Sequence, residues 1–160
     1  MNRRQVLATT AALLPLAGCL GPADGSESTT TDDPTTTTRN PVPTYEGASL
    51  ETTGIECATE DATTADVSFS GTTVTVDGTI VGADMCYVAA IDTVVYDEEA
   101  RRLSVGVESV READEETVCA QCISAIEYTV TARFAGGLPD SVVVSHRRDG
   151  AVTEVANVTR

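Results

Sequence analysis

The chain has 160 residues, of which 25 are Asp or Glu and 10 are Arg; it contains no lysine and its formal net charge is −15 at pH 7. A field of that sign repels nucleic acid and anionic surfaces, so nucleic acid is excluded as an expected partner. The length suits a single domain, and five cysteines in so short a chain raise the question of an oxidising compartment.

Residues 1–18 read as an export signal. Arg3 and Arg4 form a paired basic start, and with Gln5, Val6 and Leu7 they resemble a twin-arginine motif that carries Ala8 where lysine is often found. The apolar run 8–16 falls well short of the roughly 20 residues that a membrane-spanning helix needs. Leu16-Ala17-Gly18-Cys19 resembles a lipobox, in which the small residues admit a peptidase and the Cys19 thiol takes the lipid. Loss of the signal removes two arginines and leaves the mature chain at −17, with eight Arg against 25 acids.

Residues 19–54 read as the lipidated cysteine followed by a disordered linker. The segment carries two threonine runs, 29–31 and 35–38, together with Pro34, Pro41 and Pro43. It has too few apolar side chains to offset the entropy of folding.

Residues 55–160 have the period-two hydrophobicity of strands. In 73–81, Val74, Val76 and Ile80 share one face and Thr73, Thr75 and Asp77 the other. In 102–110, Leu103, Val105 and Val107 oppose Arg102, Ser104 and Glu108. In 122–134, Ile126, Tyr128, Val130, Ala132 and Phe134 alternate with polar residues. The run 86–96 is apolar on both faces, as a central strand would be, and 67–69, 141–146 and 151–157 add shorter strands. Ser70-Gly71 and Asp149-Gly150 suit tight hairpins, 136–140 suits a wider loop, and Gly78 is expected to mark a bulge within one longer strand. No helical stripe of useful length is present. About seven strands in this span imply an all-β, antiparallel β-sandwich of immunoglobulin-like architecture, without the Cys…Trp…Cys pattern of true immunoglobulin domains.

With Cys19 assigned to lipid, Cys57, Cys86, Cys119 and Cys122 remain, and an even number in an exported domain reads as two disulfides. Three pairings are possible. Cys86–Cys119 with Cys57–Cys122 is favoured, because Cys122 shares parity with core-facing Ile126 and Tyr128. A Cys119–Cys122 bridge would instead make a redox-type C-x-x-C loop, and a Cys₄ zinc site lacks a second C-x-x-C half. A catalytic C-x-x-C normally opens a helix, whereas the residues after Cys122 read as strand.

No catalytic, cofactor or metal residue is assigned. His146, the only histidine, is expected as a surface residue near a strand end, and the acid runs 97–99 and 114–116 as solvated turns. Asn157-Val158-Thr159 is a glycosylation sequon.

The signal and lipobox, the Thr-rich stalk, Gly78-Thr79-Ile80 before Cys86, Cys119-Ala120-Gln121-Cys122 and Gly136-Gly137-Leu138-Pro139 together resemble haloarchaeal lipoproteins of unknown function, as does the acidic, lysine-free composition. The resemblance implies a lipid-anchored domain facing the outside of the cell membrane, with Cys19 as lipid site and the other four cysteines structural. The expected activity is that of a binding or structural module of the cell envelope, with an envelope protein or peptide as partner. The alternative is a thiol–disulfide exchanger using Cys119 and Cys122.

Overall fold

A computed structural model describes residues 41–58, 62–114 and 116–160. The signal, Cys19 and the threonine runs lie outside the described residues. Eight strands form: β1 (Thr44–Cys57), β2 (Thr64–Ser70), β3 (Thr73–Gly82), β4 (Tyr87–Asp97), β5 (Arg102–Arg111), β6 (Ser124–Ala135), β7 (Ser141–Arg148) and β8 (Ala151–Thr159). They build two four-stranded sheets, ordered β1-β6-β3-β2 and β4-β5-β7-β8, which pack as a β-sandwich. Every pairing is antiparallel except β5–β7. That exception follows from the path of the chain. It leaves β5, crosses to the first sheet as β6, and returns as β7 running in the direction of β5.

The alternation read from the sequence becomes the core. Val74, Val76 and Ile80 of β3 and Ile126, Tyr128, Val130, Ala132 and Phe134 of β6 face Leu103, Val105 and Val107 of β5 and Val142 and Val144 of β7, all buried. Each such aliphatic side chain contributes roughly 1.5–3 kcal/mol through removal of its surface from water. The outer face of the first sheet is the converse. One row across its four strands is Ser49, Thr131, Thr75 and Ser68, and the next is Glu51, Thr129, Asp77 and Asp66.

The first strand corrects the expected linker boundary, since β1 begins eleven residues before the expected domain start at 55. Its inward residues, Tyr45, Ala48, Leu50 and Ile55, are spaced unevenly because the register against β6 shifts between Tyr45 and Gly47 and again between Thr52 and Gly54. Each bulge inserts a residue and breaks the period of two. Gly78 departs from expectation in the opposite sense: β3 is one strand with unbroken register, and no bulge lies at Gly78. The glycine is there for space. A Cβ at this position would collide with the hydroxyl of Tyr128, its direct cross-strand partner.

The turns follow their sequences. Asp149 and Gly150 both take positive φ (50° and 81°), as a type I′ hairpin requires, and Gly71 opens the β2–β3 hairpin at φ 58°. Connections gather at two ends of the sandwich. The β2–β3 and β4–β5 hairpins, the β6–β7 loop, the start of β1 and the end of β8 form the terminus end. The β3–β4 and β5–β6 connections, the β7–β8 hairpin and all four described cysteines form the opposite, disulfide end.

Candidate functional site

The disulfide end is built around the long β5–β6 connection, which has few apolar side chains to bury. Two bridges hold it: Cys57–Cys122, with Cα atoms 5.6 Å apart, and Cys86–Cys119, 5.7 Å apart. This is the pairing favoured from the parity of Cys122. The two cysteines of the C-x-x-C therefore belong to different bridges, one reaching β1 and the other the β3–β4 connection. They close segments separated by 65 and 33 residues, and in the chain-entropy picture each constrains the unfolded chain by roughly 4 kcal/mol.

Polar contacts complete the clamp. Asp84 accepts the Cys86 backbone N–H at 2.8 Å through Oδ1 and pairs with Arg111 Nη1 at 2.8 Å through Oδ2. Arg111 also donates to the Thr117 carbonyl and to Cys119 Sγ, at 3.4 and 3.3 Å. The Ser124 hydroxyl donates to the Asp84 carbonyl at 2.8 Å, and the Ala58 N–H to the Ile123 carbonyl at 2.7 Å. Asp84, Cys86 and Cys119 bring potential ligand atoms within 4.8 Å of one another. Both sulfurs are committed to a disulfide and the carboxylate to a guanidinium and an N–H, so this cluster is a structural clamp. Out of it projects Val118, 96% exposed.

Beside the clamp, an inter-sheet pocket of about 420 Å³ opens at the corner between β2–β3 and β7–β8, lined by Thr63, Ile80, Val81, His146, Arg148, Asp149, Ala151 and Thr153. Here the structure corrects the sequence reading: His146 is not a surface residue but is only 4% exposed. The signal was its parity, since Val142, Val144 and His146 alternate onto the core face of β7. Its Nε2 lies 2.7 Å from the Tyr128 hydroxyl, a hydrogen bond that crosses from one sheet to the other, and the rings meet edge-on at 5.7 Å.

Burial pulls the His146 pKa down to about 4, so the imidazole is neutral at neutral pH. Burial, reinforced by the Asp77 carboxylate, pushes the Tyr128 phenol well above its ordinary value, so it keeps its proton. Among the described residues the buried His146 Nδ1 has no hydrogen-bond partner. Leaving such a group unpaired costs about 1–3 kcal/mol. The ring pairs with a phenol, rather than with the serine and carboxylate of a nucleophilic triad.

The remaining candidates are dispersed. Asn157 is exposed on β8, an edge strand, with its amide 3.4 Å from Glu154. Asp97, Glu98 and Glu99 are exposed at the β4–β5 hairpin, and Asp114 and Glu116 in the β5–β6 connection. No helix among the described residues is long and apolar enough to cross a membrane. No protein-family model, curated protein or solved structure matches this chain.

Proposed function

We propose that this chain is an extracytoplasmic, lipid-anchored protein of the cell envelope, tethered through Cys19, whose β-sandwich is a binding or structural module rather than a catalyst. The observation that carries the reading is the division of the C-x-x-C between two bridges that staple separate elements. Stapling of this kind belongs to oxidising compartments. The side chains that the bridged β5–β6 connection leaves exposed, Val118 and Ile123, make the disulfide end the surface assigned to an envelope protein or peptide. The rows of hydroxyls and carboxylates on the outer sheet face suit a domain hydrated in concentrated salt, which supports the halophilic reading.

The competing activity, exchange through a Cys119–Cys122 disulfide, is disfavoured because neither cysteine has the other as partner. Two measurements test the proposal. Cys19→Ser should move the protein from the membrane fraction to the soluble fraction; retention after carbonate and high-salt washes would overturn the anchor. Mass mapping under non-reducing conditions should recover Cys57–Cys122 and Cys86–Cys119, resistant to mild reductant. A labile Cys119–Cys122 bridge would restore the exchanger.

A further inference from the structure

We propose that Asn157 carries an N-linked glycan that lies across the outer face of the second sheet and shields the valines there. The inference rests on the extracytoplasmic reading, because the modification needs an exported chain.

The first observation is the geometry of the acceptor. Asn157-Val158-Thr159 is the only Asn-x-Ser/Thr sequence in the chain, since Asn2 precedes two arginines and Asn40 precedes Pro41. All three residues lie on β8, an edge strand of the second sheet. Val158 pairs with buried Val142 and takes the inward position, so Asn157 and Thr159 both face outward, and both are exposed. The acceptor amide and the hydroxyl that completes the sequon thus share one accessible face.

The amide is not locked in place. The register shift opposite Val144 and Ser145 brings Glu154 onto the same face, and its carboxylate accepts from Asn157 Nδ2 at 3.4 Å. A well-formed N–H···O bond is about 2.9–3.0 Å long. Nδ2 is therefore free to attack the anomeric carbon of a phosphate-activated oligosaccharide. The new bond joins that carbon to Nδ2, the bond from the carbon to the phosphate oxygen breaks, the phosphate leaves with the electron pair, and Nδ2 loses one proton.

The second observation is what surrounds the acceptor. The outer face of the first sheet is rows of hydroxyls and carboxylates, whereas that of the second mixes charged residues with valines. The row running from Asn157 across the second sheet is Val143, Ser104 and Val95. Val95 is 56% exposed, and Val152, two rows away, is 55% exposed. With strands about 4.8 Å apart, Val95 stands roughly 14 Å from Asn157, within the span of a short oligosaccharide. A bulky, hydrated glycan based at Asn157 gives this face the polar cover that side chains give the first sheet.

The test uses the full chain purified from the cells that make it, with membrane and soluble fractions kept apart. Tryptic cleavage at Arg148 and Arg160 releases residues 149–160, which hold the whole sequon. That peptide should carry the mass of an oligosaccharide on Asn157. Thr159→Ser should keep the glycan. Thr159→Ala should lose it while leaving Asn157 and its contact with Glu154 in place, so the effect of the glycan is read apart from that of the amide. Carbene footprinting, in which a photolysed diazirine labels exposed C–H groups, reads where the glycan lies. Labelling of Val143 and Val95 should rise in Thr159→Ala, while labelling of Val118, at the disulfide end, stays unchanged. An unmodified 149–160 peptide from membrane-bound protein overturns the glycan and leaves the anchor standing. A glycosylated peptide from protein found only in the soluble fraction does the reverse. Equal labelling of Val143 and Val95 with and without the glycan overturns the shield.

Discussion

The two ends of this sandwich are held by different physics. At the terminus end, Phe134 sits between Tyr45 and Tyr96 with ring centroids 5.6 and 5.2 Å away, Leu138 and Pro139 are buried, and Asp140 joins Arg101 to Arg160. Apolar packing closes that end. At the disulfide end the long β5–β6 connection offers Val118 and Ile123 outward rather than inward, and covalent bridges replace packing. The contrast is one of means: apolar packing fixes one end, whereas at the other a loop held by bridges keeps a defined shape while its side chains stay exposed.

The largest expected effects break one end at a time. Phe134→Ala removes a ring that is 1% exposed, and the cavity should cost about 3–5 kcal/mol in denaturant unfolding. Cys57→Ser with Cys122→Ser should cost about 2–5 kcal/mol, and Cys86→Ala with Cys119→Ala slightly less because the closed segment is shorter. Hydrogen exchange separates the two kinds of damage. Loss of the Cys86–Cys119 bridge should expose amides of the β5–β6 connection while β3 and β6 stay protected. Loss of Phe134 should lower protection throughout the core. Uniform loss after bridge removal would show that the disulfide end is part of the core rather than an appended clamp.

The sequence was legible wherever one residue in two is apolar. Alternation marked β3, β5 and β6, and the parity of Cys122 favoured one of three bridge pairings, whereas 86–96, apolar on both faces, read as a central strand and is the edge strand β4. β1 was not legible, because Glu46 and Thr53 are bulge residues that move Ala48 and Ile55 off the expected phase. The pocket was half legible. The parity that placed Val142 and Val144 inward also placed His146, but a polar residue three positions before the hairpin turn reads as the start of solvent exposure. Its partner could not be read at all, since Tyr128 reaches it from the other sheet and a single strand's periodicity says nothing about contacts across a sandwich.

The buried histidine gives the disulfide end a pH dependence of known sign. The His146 pKa is lowered from 6.5 to about 4 in the fold, so between those values the unfolded chain binds the proton and the folded chain does not. Stability should therefore be full above pH 6.5, fall as pH drops through the window, and level off for this group below about 4. From pH 7 to pH 5 the loss is about 2 kcal/mol. Comparison with His146→Phe isolates it from the carboxylates, since the variant lacks the titrating ring. The difference in unfolding free energy between the two proteins should shift by that amount in the variant's favour as pH falls. A constant difference would mean that the imidazole is already charged or solvated at pH 7.

The smallest effects compare the ends through their ion pairs. Each end has an Arg–Asp pair of similar length, Arg111–Asp84 at 2.8 Å and Arg101–Asp140 at 2.9 Å, but the Asp84 side chain is 13% exposed and that of Asp140 53%. Exposed pairs contribute at most about 1 kcal/mol and are screened by salt. Asp140→Asn should cost less than that in dilute buffer and nothing measurable in multimolar salt. Asp84→Asn disturbs a more enclosed carboxylate that also receives the Cys86 N–H. Its cost, about 1–2 kcal/mol, should persist when salt is raised, because burial keeps counterions from the pair. Equal salt sensitivity of the two variants would mean that the clamp around Asp84 is open to solvent. The fixed shape argued for the disulfide end would then rest on the bridges alone.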